Sequence, residues 1–244
     1  MRIAAYTALH YGREYLAYAI RSVIDVIDDY YVLYTATGSH GHQAPIACPE
    51  TRAELYAIAS DAAGAKLRWI DGTWAHEGLQ RDSIFQHAAD ADVILVLDAD
   101  EVWQTGLAAQ ATRYAYDTGF GVRVPFIHYW RSFSRAFVHD PALPPRVLNP
   151  RHPHDAGYLD TALRINHFGY AQRAEIVAYK MLTHGHRNEW RRDCNWMIDV
   201  FLANRQNDCH PVGSQYWNAE TVNPYDFMPN WMQSHPYYSM GVIE

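Results

Sequence analysis

The chain has almost no lysine. Of its 244 residues only Lys66 and Lys180 are lysines, so nearly all of its positive charge is arginine. The planar guanidinium suits bidentate phosphate contacts, although a compositional bias in the gene accounts for the preference equally well. The net charge of −7 excludes a general attraction to nucleic acid or to an anionic membrane. Three cysteines, Cys48, Cys194 and Cys209, show no metal-like spacing and no disulfide framework, so reduced thiols in a cytoplasmic protein are expected. The apolar start is too short for a signal peptide before His10, Tyr11 and Arg13 follow. No apolar run approaches the roughly 20 residues of a membrane span, and there is no internal repeat or low-complexity tract.

What is present is enough chain to bury a substantial core. There is also an abundance of tyrosine (18) and tryptophan (8). Such aromatics build sugar- or base-stacking surfaces, and they also fill ordinary cores. The first half alternates strand and helix patterns. Residues 3–9, 30–36, 66–70 and 93–98 read as strands, and residues 13–27, 51–62 and 80–89 as helices. This order implies a mainly parallel sheet flanked by helices. Beyond residue 103 the pattern is mixed. Residues 104–116, 174–181 and 194–203 read as helices and 121–126 and 162–168 as strands, while 127–153 is dense in His, Arg, Trp and Pro. The stretch 206–244, rich in Asn, Pro, Tyr and Trp, reads as a loop-rich wrap.

The strongest chemical signal is Asp98-Ala-Asp100-Glu101, which follows the apolar run Val93 to Leu97. Buried carboxylates are costly unless paired or bound to a cation. These lie where a strand leaves the sheet, and ligands of open α/β sheets bind at that end. In an extended segment i and i+2 share a face, so Asp98 and Asp100 are expected to hold one divalent cation. A cation there would offset the charge of a departing diphosphate. The competing reading is a strand-to-helix turn with Asp100 as a helix cap.

Other candidates are weaker singly. Arg81 opens a predicted helix within reach of a diphosphate. Thr7 and Thr35 end predicted strands, where they are placed to line a base and ribose. His167 follows a strand-like segment and is a candidate to complete a carboxylate metal site, with His184 and His186 less so. The basic run Arg187, Arg191, Arg192 is a solvated face or a phosphate contact.

Together these residues resemble bacterial and phage glycosyltransferases of the GT-A fold, in the broad family 2 group. The likeness runs through Tyr6–Leu16, Ala19–Val23, Glu77–Asp82, Asp98–Val102, Ile127–Trp130, Arg146-Val147 and His167–Tyr170, covering roughly residues 1–190. It implies one GT-A domain, a Rossmann-like three-layer α/β/α unit with a mixed acceptor half. Residues 1–103 would bind the nucleotide sugar, 104–204 the acceptor, and 205–244 would wrap the unit. It further implies a UDP-sugar donor touching Thr7, Thr35, Arg81 and Asp98. Mn²⁺ or Mg²⁺ would sit on Asp98, Asp100 and His167, and His128 and Arg146 would border the acceptor. Inverting members use an acidic base. Asp140 and Asp160 are both candidates here, so inversion is favoured by family habit alone. The acceptor is a polysaccharide, a protein, a small molecule or a modified DNA base.

Two other classes fit part of the pattern. A haloacid dehalogenase-type phosphatase also places Asp-x-Asp after an apolar strand, with Asp98 as nucleophile. Three strand patterns precede the motif here, which argues against that class. A non-catalytic carbohydrate-binding protein would use the aromatic tail.

Overall fold

The computed structural model describes residues 1–151, 157–212 and 215–244. The first half follows the predicted alternation. Strand β1 (Ile3–Leu9) leads into helix α1 (Arg13–Val23), then come β2 (Asp29–Tyr34), α2 (Arg52–Ala63) and β3 (Leu67–Asp71). β2 is buried along its whole length and β1 nearly so, as strands covered on both faces must be. α1 turns the stripe Tyr15, Leu16, Ala19, Ile20 and Val23 inward. Its first two amides, Gly12 and Arg13, donate to the buried Glu50 carboxylate at 2.7 and 2.8 Å. Thr51 and Glu54 form a capping box at the start of α2.

The single helix predicted over 80–89 is instead two short ones, α3 (Glu77–Asp82) and α4 (Ile84–His87), hinged at Ser83. β4 (Val93–Val96) ends two residues short of Asp98, and β5 (Glu101–Trp103) joins a different sheet. Asp98 and Asp100 therefore lie on a turn between sheets, and strand alternation does not put them on one face.

The chain continues through α5 (Leu107–Thr118), β6 (Gly121–Arg123), β7 (Phe126–Trp130), β8 (Arg135–Phe137) and β9 (Pro145–Leu148). It ends with β10 (Tyr158–Asp160), β11 (Ile165–Tyr170), α6 (Ala174–Thr183) and β12 (Glu220–Thr221). Residues 152–153 of the predicted His/Arg/Trp/Pro segment lie outside the described residues. The strand expected over 121–126 is β6 and only the first residue of β7, and β5, β8, β9, β10 and β12 have no counterpart among the sequence expectations. The helix predicted over 194–203 is a π-type turn over Met197–Leu202.

The molecule is mixed α/β. A seven-stranded sheet runs β10-β6-β9-β4-β1-β2-β3, and the four strands β3-β2-β1-β4 are mutually parallel. β9 inserts antiparallel between β4 and β6. A second sheet runs β12-β8-β7-β11-β5, with β11 parallel to β7 and antiparallel to β5. The two sheets meet at the turn after β4. The 205–244 segment covers the second sheet: Met228, Met232 and Ile243 pack with Tyr15, Tyr129, Phe133 and Phe168. Buried Arg131 fastens this segment by donating to the Ile243 carbonyl (3.0 Å), and it also donates to the Phe201 carbonyl (2.7 Å) just before the segment. Among the described residues no helix is long and apolar enough to cross a membrane.

Candidate functional site

A cleft of about 420 Å³ opens over the carboxyl ends of β1, β2 and β4 and is closed on the far side by β7, β11 and α6. This is where ligands bind in open α/β sheets, because the loops there leave the sheet in different directions. Of the residues expected at the site, Thr35, Arg81, Asp98, Asp100, His128, Arg146 and His167 all line the cleft. Their sequence separations are large, and the junction of the two sheets brings them together.

Three expected residues do not belong to its wall. Thr7 is fully buried, with its hydroxyl bonded to the Tyr30 hydroxyl (2.5 Å) and to the Leu97 carbonyl (2.6 Å); side chains alternate along β1, and Thr7 faces into the sheet's own layer. Asp160 stands on β10, at the outer edge of the large sheet, half exposed and paired with Arg123 at 2.7 Å. Asp140 lies behind His128, to which it is bonded at 2.5 Å. Neither acid, each expected as a candidate catalytic base, lines the cleft.

Asp98 and Asp100 have separate surroundings. Each oxygen of Asp98 accepts from a different arginine, Oδ1 from Arg81 at 2.6 Å and Oδ2 from Arg146 at 3.1 Å. Arg81 is also held by Glu77, and Arg146 by the fully buried Glu101 at 2.5 Å. Burial alone would raise the Asp98 pKa, but the two guanidinium groups outweigh it and hold the carboxyl well below its usual range. Burial pushes Glu101 up, with Arg146 pulling the other way. Asp98 is thus a bridge between arginines, and the structure does not bring a free oxygen of it together with Asp100 and His167 as the expected cation set required.

Asp100 has one engaged oxygen and one open one. Oδ2 accepts from Gln172 at 3.2 Å and has the Lys180 ammonium 3.7 Å away. Oδ1 faces His167 Nε2 across 3.6 Å. Beneath them, Gly169 leaves room that no other residue would: a Cβ there would stand 2.6 Å from the His167 ring and 3.0 Å from Lys180 Nζ. The same holds for Gly12, whose φ is +145° and whose Cβ would meet that of Ala99 at 2.4 Å. Gly12 allows backbone to approach the acidic turn, and Gly169 makes room for the His167 ring and the Lys180 ammonium.

Half of the chain's 14 histidines line the cleft. Burial is the first cause that lowers His167, whose pKa lies well below 6.5, with His128 and Lys180 adding to it. Burial likewise lowers His128, His184 to about 3 and His210 to about 4. Burial thus favours the uncharged form of these four imidazoles on the far wall.

Among the described residues no group of three or more His, Cys, Asp or Glu is set to hold a metal ion. The pair Asp100 and His167 does fit a cation that completes its shell with ligand phosphates and water. With ion–ligand bonds of roughly 2.1 Å, one ion reaches both atoms across the observed gap. Sequence reasoning missed Lys180, Gln172, His210 and Trp217, which also line the cleft. Only Lys180 carried a signal, as one of two lysines in the chain.

No family profile and no curated protein matches the chain. Among solved structures it is similar to 4-diphosphocytidyl-2C-methyl-D-erythritol synthase from Anaerococcus prevotii DSM 20548. The TM-score is 0.44 at 10% identity, over 73% of this chain and 97% of that one. What can be said of the architecture therefore rests on the strand order, a mixed α/β unit around a mostly parallel sheet.

Proposed function

We propose that the protein is a glycosyltransferase of GT-A type. In this reading the cleft takes a nucleoside-diphosphate sugar, UDP-sugar being favoured, and passes the sugar to a hydroxyl acceptor. The observation that carries the reading is the facing pair Asp100 Oδ1 and His167 Nε2, 3.6 Å apart in a cleft at the carboxyl ends of parallel strands. With the imidazole unprotonated at Nε2, the pair presents two ligand atoms to one cation. A bound Mn²⁺ or Mg²⁺ would supply charge neutralisation for the leaving diphosphate. Lys180 adds a second positive centre on the opposite oxygen of Asp100, well placed for a phosphate. Thr35 and Arg81 line the same cleft on the side of β2 and α3, and suit the nucleotide; His128 lines the β7 side and suits the acceptor. The acceptor class stays as wide as the sequence left it: a polysaccharide, a protein, a small molecule or a modified DNA base.

The reading is tested by titration calorimetry of UDP with and without Mn²⁺, on the wild type and on Asp100→Ala. Tight binding that needs the metal and is lost in the variant is expected. Equal binding by both proteins would sink the reading.

A further inference from the structure

The His167 ring turns Nε2 toward Asp100 and is held from behind through Nδ1. His128 sits on β7 and His167 on β11, at registered positions of two parallel strands. Their Nδ1 atoms are 2.7 Å apart, and His128 Nε2 is 2.5 Å from Asp140 Oδ2. Two imidazoles joined Nδ1 to Nδ1 hold one proton between them when both are neutral. Which ring carries it depends on what His128 does with its other nitrogen.

We propose that Asp140 and His128 are positioning residues that fix the tautomer of His167. Asp140, as a carboxylate, only accepts, so His128 carries its proton on Nε2. Its Nδ1 is then a bare acceptor, and the shared proton resides on His167 Nδ1. His167 Nε2 is left unprotonated, aimed at Asp100 Oδ1, with no hydrogen-bond donor to it among the described residues. Burial opposes the charge on Asp140, but the hydrogen bonds from His128 and from the Ala142 amide (2.9 Å) outweigh it and lower its pKa. The rings have little freedom to escape: His167 stacks on Phe126 at 4.9 Å, and His128 packs against Trp217 at 4.2 Å. An outer carboxylate thus sets the proton pattern of an atom two rings away, as outer partners of metal-bound histidines do. The purpose of this arrangement rests on the cation reading above; the proton pattern itself does not.

The test is a two-bond ¹H–¹⁵N correlation spectrum of the metal-free protein, with His128 and His167 assigned by single substitution. His128 protonated on Nε2 and His167 on Nδ1 is expected; a protonated Nε2 on His167 overturns the proposal. In Asp140→Asn the amide donates to His128 Nε2, so both tautomers reverse and His167 presents an N–H to Asp100. Mn²⁺ affinity in the presence of UDP is then expected to fall roughly 10–100-fold. Reversed tautomers with undiminished affinity would overturn the positioning role. Asp140→Glu keeps an acceptor and is expected to keep the wild-type pattern; reversal there also counts against the proposal. If the wild type shows the stated tautomers but binds no Mn²⁺ with UDP, the relay is supported and the cation reading falls.

Discussion

Asp98 and Asp100 are two residues apart, have the same side chain and leave the same strand, yet they sit in opposite environments. Asp98 is saturated. Two arginines take its two oxygens, and those arginines are held in turn by Glu77 and Glu101, so two positive and two negative partners surround a closed network. Asp100 keeps an oxygen that faces His167 Nε2 across 3.6 Å. A carboxylate whose needs are met by protein holds structure together, and one left short of a positive partner is available to a ligand. The comparison separates a stability role from a binding role within one short motif.

The largest effect is expected where the closed side is broken. Arg146→Ala leaves Glu101 buried without its partner, and removing one member of a buried pair costs about 3–5 kcal/mol. Urea denaturation of wild type and variant measures it, and a loss under about 1 kcal/mol would mean that the network is not closed as described. Next comes the open side. Asp100→Ala is expected to weaken Mn²⁺-dependent UDP binding at least ~100-fold, about 2.7 kcal/mol. Stability should fall by about 1–2 kcal/mol, less than for Arg146→Ala, because the buried Gln172 amide loses its bond to Oδ2 but no buried charge is left unpaired. A variant that unfolds but still binds would reverse the two roles.

The neutral histidine wall gives a pH-dependent prediction of intermediate size. His210 is buried, and its pKa is lowered from 6.5 to about 4, so the unfolded chain binds a proton more readily than the native one. Its contribution is present above about pH 6.5 and is lost as pH falls toward 4. Between pH 6.5 and 5 that amounts to about 2 kcal/mol. His210→Gln is expected to flatten the stability profile in this window, and an unchanged slope would show that His210 titrates normally. The smallest effect belongs to Asp160. Its pair with Arg123 is solvent-exposed, so Asp160→Ala should alter stability by under about 1 kcal/mol. It should leave metal-dependent UDP binding as it was; a large loss of binding would bring β10 back into the site.

Much of this molecule could be read from local pattern. β1, β2 and β4 are short apolar runs of buried strands, α1 carries an apolar stripe, and the Thr51–Glu54 capping box marks the start of α2. Strands β8 and β10 have three residues and β9 has four, too few for any periodicity, so only their partners define them. Arg81 and His167 were found because each flanks a recognisable element. Lys180 was seen as a rarity, but nothing in the chain linked it to Asp100, 80 residues earlier. The confusion between Asp140 and Asp160 has the same origin. Two acids in irregular sequence look alike until one is found beneath an imidazole and the other at a sheet edge.

The amino-acid sequence by itself determined the alternation of strands and helices and the presence of an acidic turn after a buried strand, because hydrophobic periodicity and capping act within a few residues. Tertiary structure alone decided which carboxylate is spent and which is open. That choice depends on Arg146, His128, His167 and Lys180, which two separate sheets and a helix bring within 4 Å of residues far away in the chain. Electrostatic pairing falls off over a few ångströms of space and takes no account of distance along the sequence.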